Sequence, residues 1–163
     1  MGKTYIGRML SQKLNWHFFD ADILYDDELK HLLRSGLYTQ DIRDKFVDRL
    51  IATTESLLAE GDKNLLIAEA FTKEKNRHEF LEHFDEQVCY IMVGASKDTA
   101  EVRMKERLTK GEHVVDEAVF KYVWDEFEEP TIRYRRLMNE KATDKELCEK
   151  FKDIIESVQK EER

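Results

Sequence analysis

The feature that most constrains this chain is an alternation, in which short apolar runs recur between longer stretches of helical spacing. Leu65–Ala70 and Val88–Val93 (VCYIMV) are nearly continuous apolar runs. A strand with one wet face alternates polar and apolar residues, whereas one covered on both faces stays apolar throughout. Trp16–Phe19 is a third, aromatic run suited to a buried strand, and Arg136–Met138 suggests a last short one. Helical spacing fills the intervals. Thr4–Leu14 places Ile6, Met9, Leu10 and Leu14 on one face, and Ile23–Arg34 runs to a natural stop at Gly36. Thr39 opens a long helix through Phe46, Leu50 and Leu57 that Gly61 closes, and Lys73–His83, Lys97–Leu108, Glu117–Phe127 and Asp144–Val158 follow. Strands alternating with helices predict a three-layer α/β/α fold with a parallel sheet, here as one domain over residues 1–163. Ligands of such sheets bind beyond the carboxyl ends of the strands, so the residues just after each strand carry the interest.

Composition narrows the partners. A hydrophobic share of 41% with 38% charged residues fits a globular chain. No apolar run approaches the roughly 20 residues that span a bilayer, and the start shows no signal-peptide pattern. Cys89 and Cys148 lack CxxC spacing and read as inert thiols, the usage of a reducing, cytoplasmic setting. A net charge of −8 disfavours nucleic acid, while one small polyphosphate needs only a local cluster of cations and backbone N–H groups. The expected partner is a small-molecule substrate, with no nucleic acid and no membrane, for a monomer or homodimer.

That cluster has a candidate. Gly2-Lys3-Thr4 leads straight into a helix and matches the tail of the phosphate-binding loop GxxxxGK[ST]. Glycine admits backbone N–H groups to phosphate, lysine reaches the β/γ oxygens, and the threonine hydroxyl holds Mg²⁺. The strand and Gly-x-x-Gly that open such a loop are expected upstream of Met1. Alone, the three residues read rather as an ordinary frayed terminus with a helix-capping Thr4. The Trp16–Phe19 strand then closes in Asp20-Ala21-Asp22, which sets two carboxylates at the ligand edge. One can bind Mg²⁺ through water and the other can take a proton from a substrate hydroxyl. Asp22 could instead cap the helix beginning at Ile23.

GKTYIGRMLSQKLNWHFFDAD resembles the start of gluconate kinases and, more loosely, of shikimate kinases. GLYTQDIR (Gly36–Arg43) is similar to the gluconate-kinase segment ending in Asp-Arg, and LIAEAFTK (Leu66–Lys73) to that family's strand ending in Cys-Ser-Ala-Leu-Lys. Tyr90–Gly94 with Asp98, Arg103 and Arg107 resembles the strand and arginine-bearing helix before the lid. Gly111–Pro130 looks like the lid and its boundary, and NEKATDKEL (Asn139–Leu147) like the loop and helix near the adenine. Glu69-Ala70-Phe71 departs from both relatives, standing in place of the Gly-Gly-Gly of shikimate kinases and the Cys-Ser of gluconate kinases.

The resemblance implies a P-loop kinase fold with a helical lid at about residues 109–129, and ATP and Mg²⁺ as cofactors. It implies phosphoryl transfer to a hydroxyl of a small, anionic, gluconate- or shikimate-like metabolite. Gly2, Lys3, Thr4 and Arg107 would meet the nucleotide, with Arg103 a further candidate. Thr4 and Asp20 would hold the metal. Lys3 and Asp22 would be catalytic, and Asp22, Arg43 and Lys73 would face the acceptor, where an arginine fork suits a carboxylate. Lys110 and His113 could reach in from the lid. Plainer readings stand beside these: Arg43 paired with Asp44, Lys73 solvated, Arg103 or Arg107 bridged to Glu106 or Asp98, Phe120 and Trp124 packing the lid helix, and Arg133-Tyr134-Arg135-Arg136 a solvated edge. A nucleoside or nucleotide kinase, or a non-catalytic binding module on the same fold, are the competing functions.

Overall fold

The computed structural model describes residues 2–61, 64–84, 87–109, 117–140 and 142–161. Helix α1 (Lys3–Leu14) ends where Asn15 turns left-handed, at φ 56°, and its N–H donates to the Ser11 carbonyl. Strand β1 (His17–Asp20) follows at once. The single helix expected over residues 23–34 is in fact two pieces. A 3₁₀ turn (Ala21–Leu24) is capped by Asp20, whose carboxylate accepts from the Asp22 N–H at 3.4 Å. Helix α2 (Asp27–Arg34) is capped by Asp26, which accepts from the Leu29 N–H at 2.9 Å. The break between them has a physical reason. Tyr25 and Asp26 are extended, which lets the Tyr25 ring stack on Phe46 at 4.3 Å while Asp26 takes the cap and pairs with Arg49.

Thr39 precedes α3 (Gln40–Ala59), which leads to β2 (Leu65–Ala68), α4 (Glu74–Phe84) and β3 (Ile91–Gly94). Then come α5 (Lys97–Thr109), α6 (Glu117–Asp125), β4 (Arg135–Met138) and α7 (Asp144–Glu161). Strands β1 and β2 pair in parallel with Asp20 opposite Ala68, and β3 and β4 pair in parallel with Gly94 opposite Met138. The expected single sheet is therefore two ladders, because no described strand lies between β2 and β3 to join their backbone groups.

Packing nevertheless makes one three-layer unit. Ile6, Met9 and Leu10 of α1 and Leu147, Cys148 and Phe151 of α7 form one apolar cluster, against which Leu66 of β2 and Ile91 and Val93 of β3 all pack. On the opposite face, Phe46, Val47 and Leu50 of α3 and Phe80 and Phe84 of α4 receive Phe19 and Ile67. Neighbours Leu66 and Ile67 thus go to opposite layers, as the period-two pleat requires. Helix α1 sits so close to β1 that a Cβ on Gly7 would lie 2.1 Å from the Phe18 ring, so only glycine fits there. Cys89 is half-buried and Cys148 buried, and neither is in a disulfide among the described residues. No described helix is long and apolar enough to cross a membrane.

Candidate active site

The carboxyl ends of β1 and β2 lie side by side, and α1 starts beside them. Gly2, at φ 109°, adopts a backbone conformation that other residues enter only with strain, and a Cβ there would meet the Asn139 side-chain amide at 2.6 Å. Lys3 and Thr4 occupy the first turn of α1, where N–H groups without helical partners and the helix dipole favour an anion. The Lys3 ammonium is near enough to Asp22 and Glu69 to draw both carboxyls downward. Desolvation is nevertheless the larger influence on Asp22 and raises it above the ordinary value, with Asp20 adding to the rise. Asp20 has one oxygen on the Asp22 N–H and the other 4.0 Å from Arg8. Asp22 caps nothing. Its carboxylate has no hydrogen bond or ion pair among the described residues, so the capping role falls to Asp20 and the Asp22 side chain is left for other work.

A second group lies deeper. Arg43 is 8% exposed, its Nη1 donates to the Tyr38 carbonyl at 3.1 Å, and its guanidinium lies 5.2 and 5.4 Å from the Tyr38 and Tyr122 ring centres. Its Nη2 is 3.6 Å from a Glu126 oxygen, too far for a hydrogen bond, and Nε and Nη2 have no partner among the described residues. Lys73 reaches the same Glu126 at 2.9 Å and Glu128 at 3.1 Å. The hydrogen bond to Glu126 raises the Lys73 ammonium against the opposing effect of burial, and Glu128 adds to it. So Arg43 and Lys73 are brought together around one carboxylate, and it belongs to the protein. Asp44, the plainer partner proposed for Arg43, is taken by Lys75, Gln40 and Asn76 instead.

Close to Asp22 and Lys3 stands Glu69, the residue directly after β2. Its Oε2 is sealed from solvent with no hydrogen-bond partner among the described residues, and burial, reinforced by Asp22, pushes its carboxyl up to about 7. Its charge is also felt by Tyr25, Tyr38 and Tyr90, and the Tyr38 hydroxyl donates to that of Tyr25 at 3.4 Å. A carboxylic acid just past an apolar strand was the available signal for this residue, and the sequence reading noted it only as a departure.

The other expected residues divide. Arg103 donates to the Asn139 carbonyl at 2.7 Å and the Glu140 carbonyl at 2.8 Å, so it holds the loop after β4 rather than bridging to Glu106 or Asp98. The α5 backbone carries Arg107 one turn further on, and its side chain lies outside the described set, as does that of Phe120. Lys110 and His113 lie outside the described residues. Lys97 lies over the Trp124 ring at 6.0 Å. Arg133 and Arg135 both pair with Glu161 at the end of α7, and Arg136 reaches the Tyr134 hydroxyl at 3.2 Å.

Arg77 was missed altogether. It is 1% exposed and ties the segment after β2 to the segment after α6. It donates to the carbonyls of Phe71, Thr72 and Glu128, pairs with Glu74, and lies over the Phe127 ring. Glu74 in turn accepts from the Thr131 and Ile132 N–H groups and the Thr131 hydroxyl. Burial opposes its charge, but these hydrogen bonds and Arg77 outweigh that and hold it down to about 2.

Parallel strands under two helical layers, with a glycine-lysine-threonine helix start facing paired carboxylates, define an α/β fold of the P-loop kinase class. A model of the shikimate kinase family matches residues 1–158, and the chain belongs to that family. A shikimate kinase of Rippkaea orientalis (strain PCC 8801 / RF-1) is 33% identical over 66 residues, 37% of this chain. That stretch spans only 35% of the relative's own length. Among solved structures, a gluconokinase from Sinorhizobium meliloti 1021 superposes with a TM-score of 0.74 at 14% identity, over 98% of this chain and 88% of its own. A sugar kinase from Janibacter sp. HTCC2649 gives a TM-score of 0.76 at 17% identity, over 96% and 91%. At these identities the superpositions speak for the fold.

Proposed function

We propose that the protein transfers the γ-phosphoryl group of ATP to a hydroxyl of a small metabolite. The observation that carries this is the meeting of Lys3, Asp20 and Asp22 at one strand edge, with Asp22 left unbonded. Such a transfer needs positioning and charge neutralisation more than covalent help. Lys3 sits where it would neutralise the β/γ oxygens, and the first-turn N–H groups of α1 would face the same phosphates. Asp22, its proton affinity raised by desolvation, would align the acceptor hydroxyl and accept its proton. Arg107 would lie near the nucleotide at the base of a lid of about residues 109–129, which would close to exclude water.

The donor set near Lys3 fits a hard cation. Thr4 offers a hydroxyl and Asp20 a carboxylate oxygen, both ligand types that Mg²⁺ prefers. Among the described residues no cluster of three or more His, Cys, Asp or Glu could hold a metal, so phosphate oxygens and water would complete the shell. Bound there, Mg²⁺ would neutralise charge developing on the phosphates.

Two acceptor classes suit this site. An anionic acceptor, gluconate- or shikimate-like, would place its carboxylate on Arg43 and Lys73 after Glu126 swings away. An uncharged acceptor would leave Glu126 where it is. The kinase reading itself is tested with the full-length protein, ATP–Mg²⁺ labelled in the γ position, and a panel of polyols and sugar acids. Label should move to an acceptor, and Lys3→Met should abolish the transfer. No transfer, together with no heat on titrating ATP–Mg²⁺, would refute the reading.

A further inference from the structure

Helix α6 rests on the guanidinium of Arg43. The Tyr122 hydroxyl donates to the Tyr38 carbonyl at 3.2 Å, the same carbonyl that Arg43 Nη1 reaches, and the Tyr122 ring lies 5.4 Å from the guanidinium. Just past the helix, the Glu126 N–H donates to the Tyr122 carbonyl at 2.9 Å, so Glu126 moves with α6. Its carboxylate fits the two cations unequally. One oxygen serves both, at 2.9 Å from Lys73 and 3.6 Å from Arg43 Nη2. Arg43 is more than nine-tenths buried, and its Nε and Nη2 have no partner among the described residues. These two nitrogens lie on one edge of the guanidinium, and their parallel N–H groups match the two oxygens of one carboxylate. Buried donors left open normally find a partner. Glu126 is tethered to the helix and leaves that edge open, whereas the carboxylate of a small molecule carries no tether.

Two residues further on, the chain is fixed. The Glu128 N–H donates to the Thr72 carbonyl at 2.9 Å, and the Glu128 carbonyl accepts from Arg77 at 2.5 Å. The Glu128 Oε2 accepts from the Glu74 N–H at 2.8 Å, and Glu74 in turn holds the N–H groups of Thr131 and Ile132. Residues 128–132 are therefore pinned to the segment after β2 by bonds that no small anion can replace. Glu126 is held by a contact of carboxylate to cation, which another carboxylate can replace like for like. A firm attachment and an exchangeable one, two residues apart, make a pivot and a latch.

We infer that Glu126 is a built-in competitor for the carboxylate of an acceptor, and that its displacement frees the end of α6 to turn about Glu128. This rests on the kinase reading with an anionic acceptor. Glu126 then has two effects. It keeps weakly binding anions off Arg43 and Lys73, and it makes the arrival of the right one felt by α6. An uncharged analogue has nothing to put in the place of the Glu126 carboxylate and leaves the helix docked.

Equilibrium titrations of the full-length protein without nucleotide, with aldonates of four to six carbons and the matching alditols as probes, test the first half. Glu126→Gln should tighten aldonate binding at least about fivefold and leave any alditol binding within about twofold. Glu129→Gln removes the same charge from a side chain directed at Arg136, 4.0 Å away, and should shift aldonate binding by no more than about twofold. Hydrogen exchange tests the second half. Saturating aldonate should speed exchange over residues 121–126 and leave residues 128–132 as protected as before, and Glu126→Ala should show the same pattern with no ligand. Aldonate affinity unchanged or weaker in Glu126→Gln, an equal gain in Glu129→Gln, or no aldonate bound by either protein would overturn the inference. So would exchange that rises over both segments together, or over neither. The two readings fail separately. Displacement of Glu126 by an aldonate without movement of label from ATP would sink the kinase and spare the latch. Label transfer to an aldonate whose affinity Glu126→Gln leaves unchanged would do the reverse.

Discussion

Arg43 and Arg77 are both buried arginines in the same half of the molecule, and they are provided for in opposite ways. Arg77 gives its protons to three backbone carbonyls and to Glu74, and it covers an aromatic ring. Arg43 has one carbonyl, two flanking rings and a carboxylate just beyond hydrogen-bond reach, with two nitrogens left over. A buried cation whose protons are all spoken for serves the fold. One that keeps protons in reserve bears a desolvation cost that only a ligand recovers. The same contrast separates two half-buried acids. Glu74 is saturated with donors and held to about 2, while Glu69 has the Ala70 N–H but no donor for its sealed oxygen and is pushed up to about 7.

The sharpest way to break this comparison is to remove the satisfied arginine. Arg77→Met would leave Glu74 ionised without its cation and three carbonyls short of a donor. Truncating one partner of a buried pair costs about 3–5 kcal/mol, and denaturant unfolding should show a loss of that size. A loss under about 1 kcal/mol would mean that water replaces the arginine and that the network adds little.

The acids come next. Glu69 has an ordinary carboxyl value of 4.5 when unfolded and about 7 when folded, so between these pH values the folded state holds the extra proton. Stability therefore falls as pH rises through that window. At about 1.4 kcal/mol for each pH unit of displacement, the fall amounts to roughly 3 kcal/mol. Glu74 runs the other way. Its contribution is complete above its ordinary 4.5 and is lost as pH falls toward about 2. The melting temperature should thus peak near pH 4.5–5, and Glu69→Gln should flatten the alkaline side of the curve alone. An unchanged slope in that variant would assign the pH dependence elsewhere.

The smallest stability effect is expected at Arg43. Arg43→Met loses one hydrogen bond, to the Tyr38 carbonyl, but also removes two buried donors that have no partner among the described residues, so the unfolding free energy should move by only about 1 kcal/mol. Acceptor binding should nevertheless be lost. A large destabilisation with acceptor binding intact would make Arg43 a second Arg77.

Much of this was legible in the sequence, for local reasons. Apolar runs and helical spacing located β1, β2, α1, α3 and α7 to within a few residues, because burial on both faces leaves a continuous signal. Asp20, Asp22, Arg43 and Lys73 could be named because each stands at the end of a strand or closes a matched motif. What stayed hidden depends on partners far along the chain. Arg77 looks like an ordinary helix-surface cation until Glu128, 51 residues away, supplies its carbonyl. Glu126 likewise shows no sign in sequence that it will lie between Arg43 and Lys73. The break at Tyr25 was missed because the pull comes from Phe46, on a different helix. The separation of the strands into two ladders is a property of pairing, which no single run of residues reveals.

The central claim is that phosphoryl transfer takes place at the Asp20–Asp22 edge, and Asp22→Asn tests it most directly. The structure removes the rival explanation, because Asp20 and Asp26 cap the neighbouring turns and Asp22 caps none. Turnover of the full-length protein with its best acceptor should fall by about 10²–10⁴-fold, the usual range for losing general-base help, with ATP affinity and melting temperature nearly unchanged. Full turnover in Asp22→Asn would contradict the account.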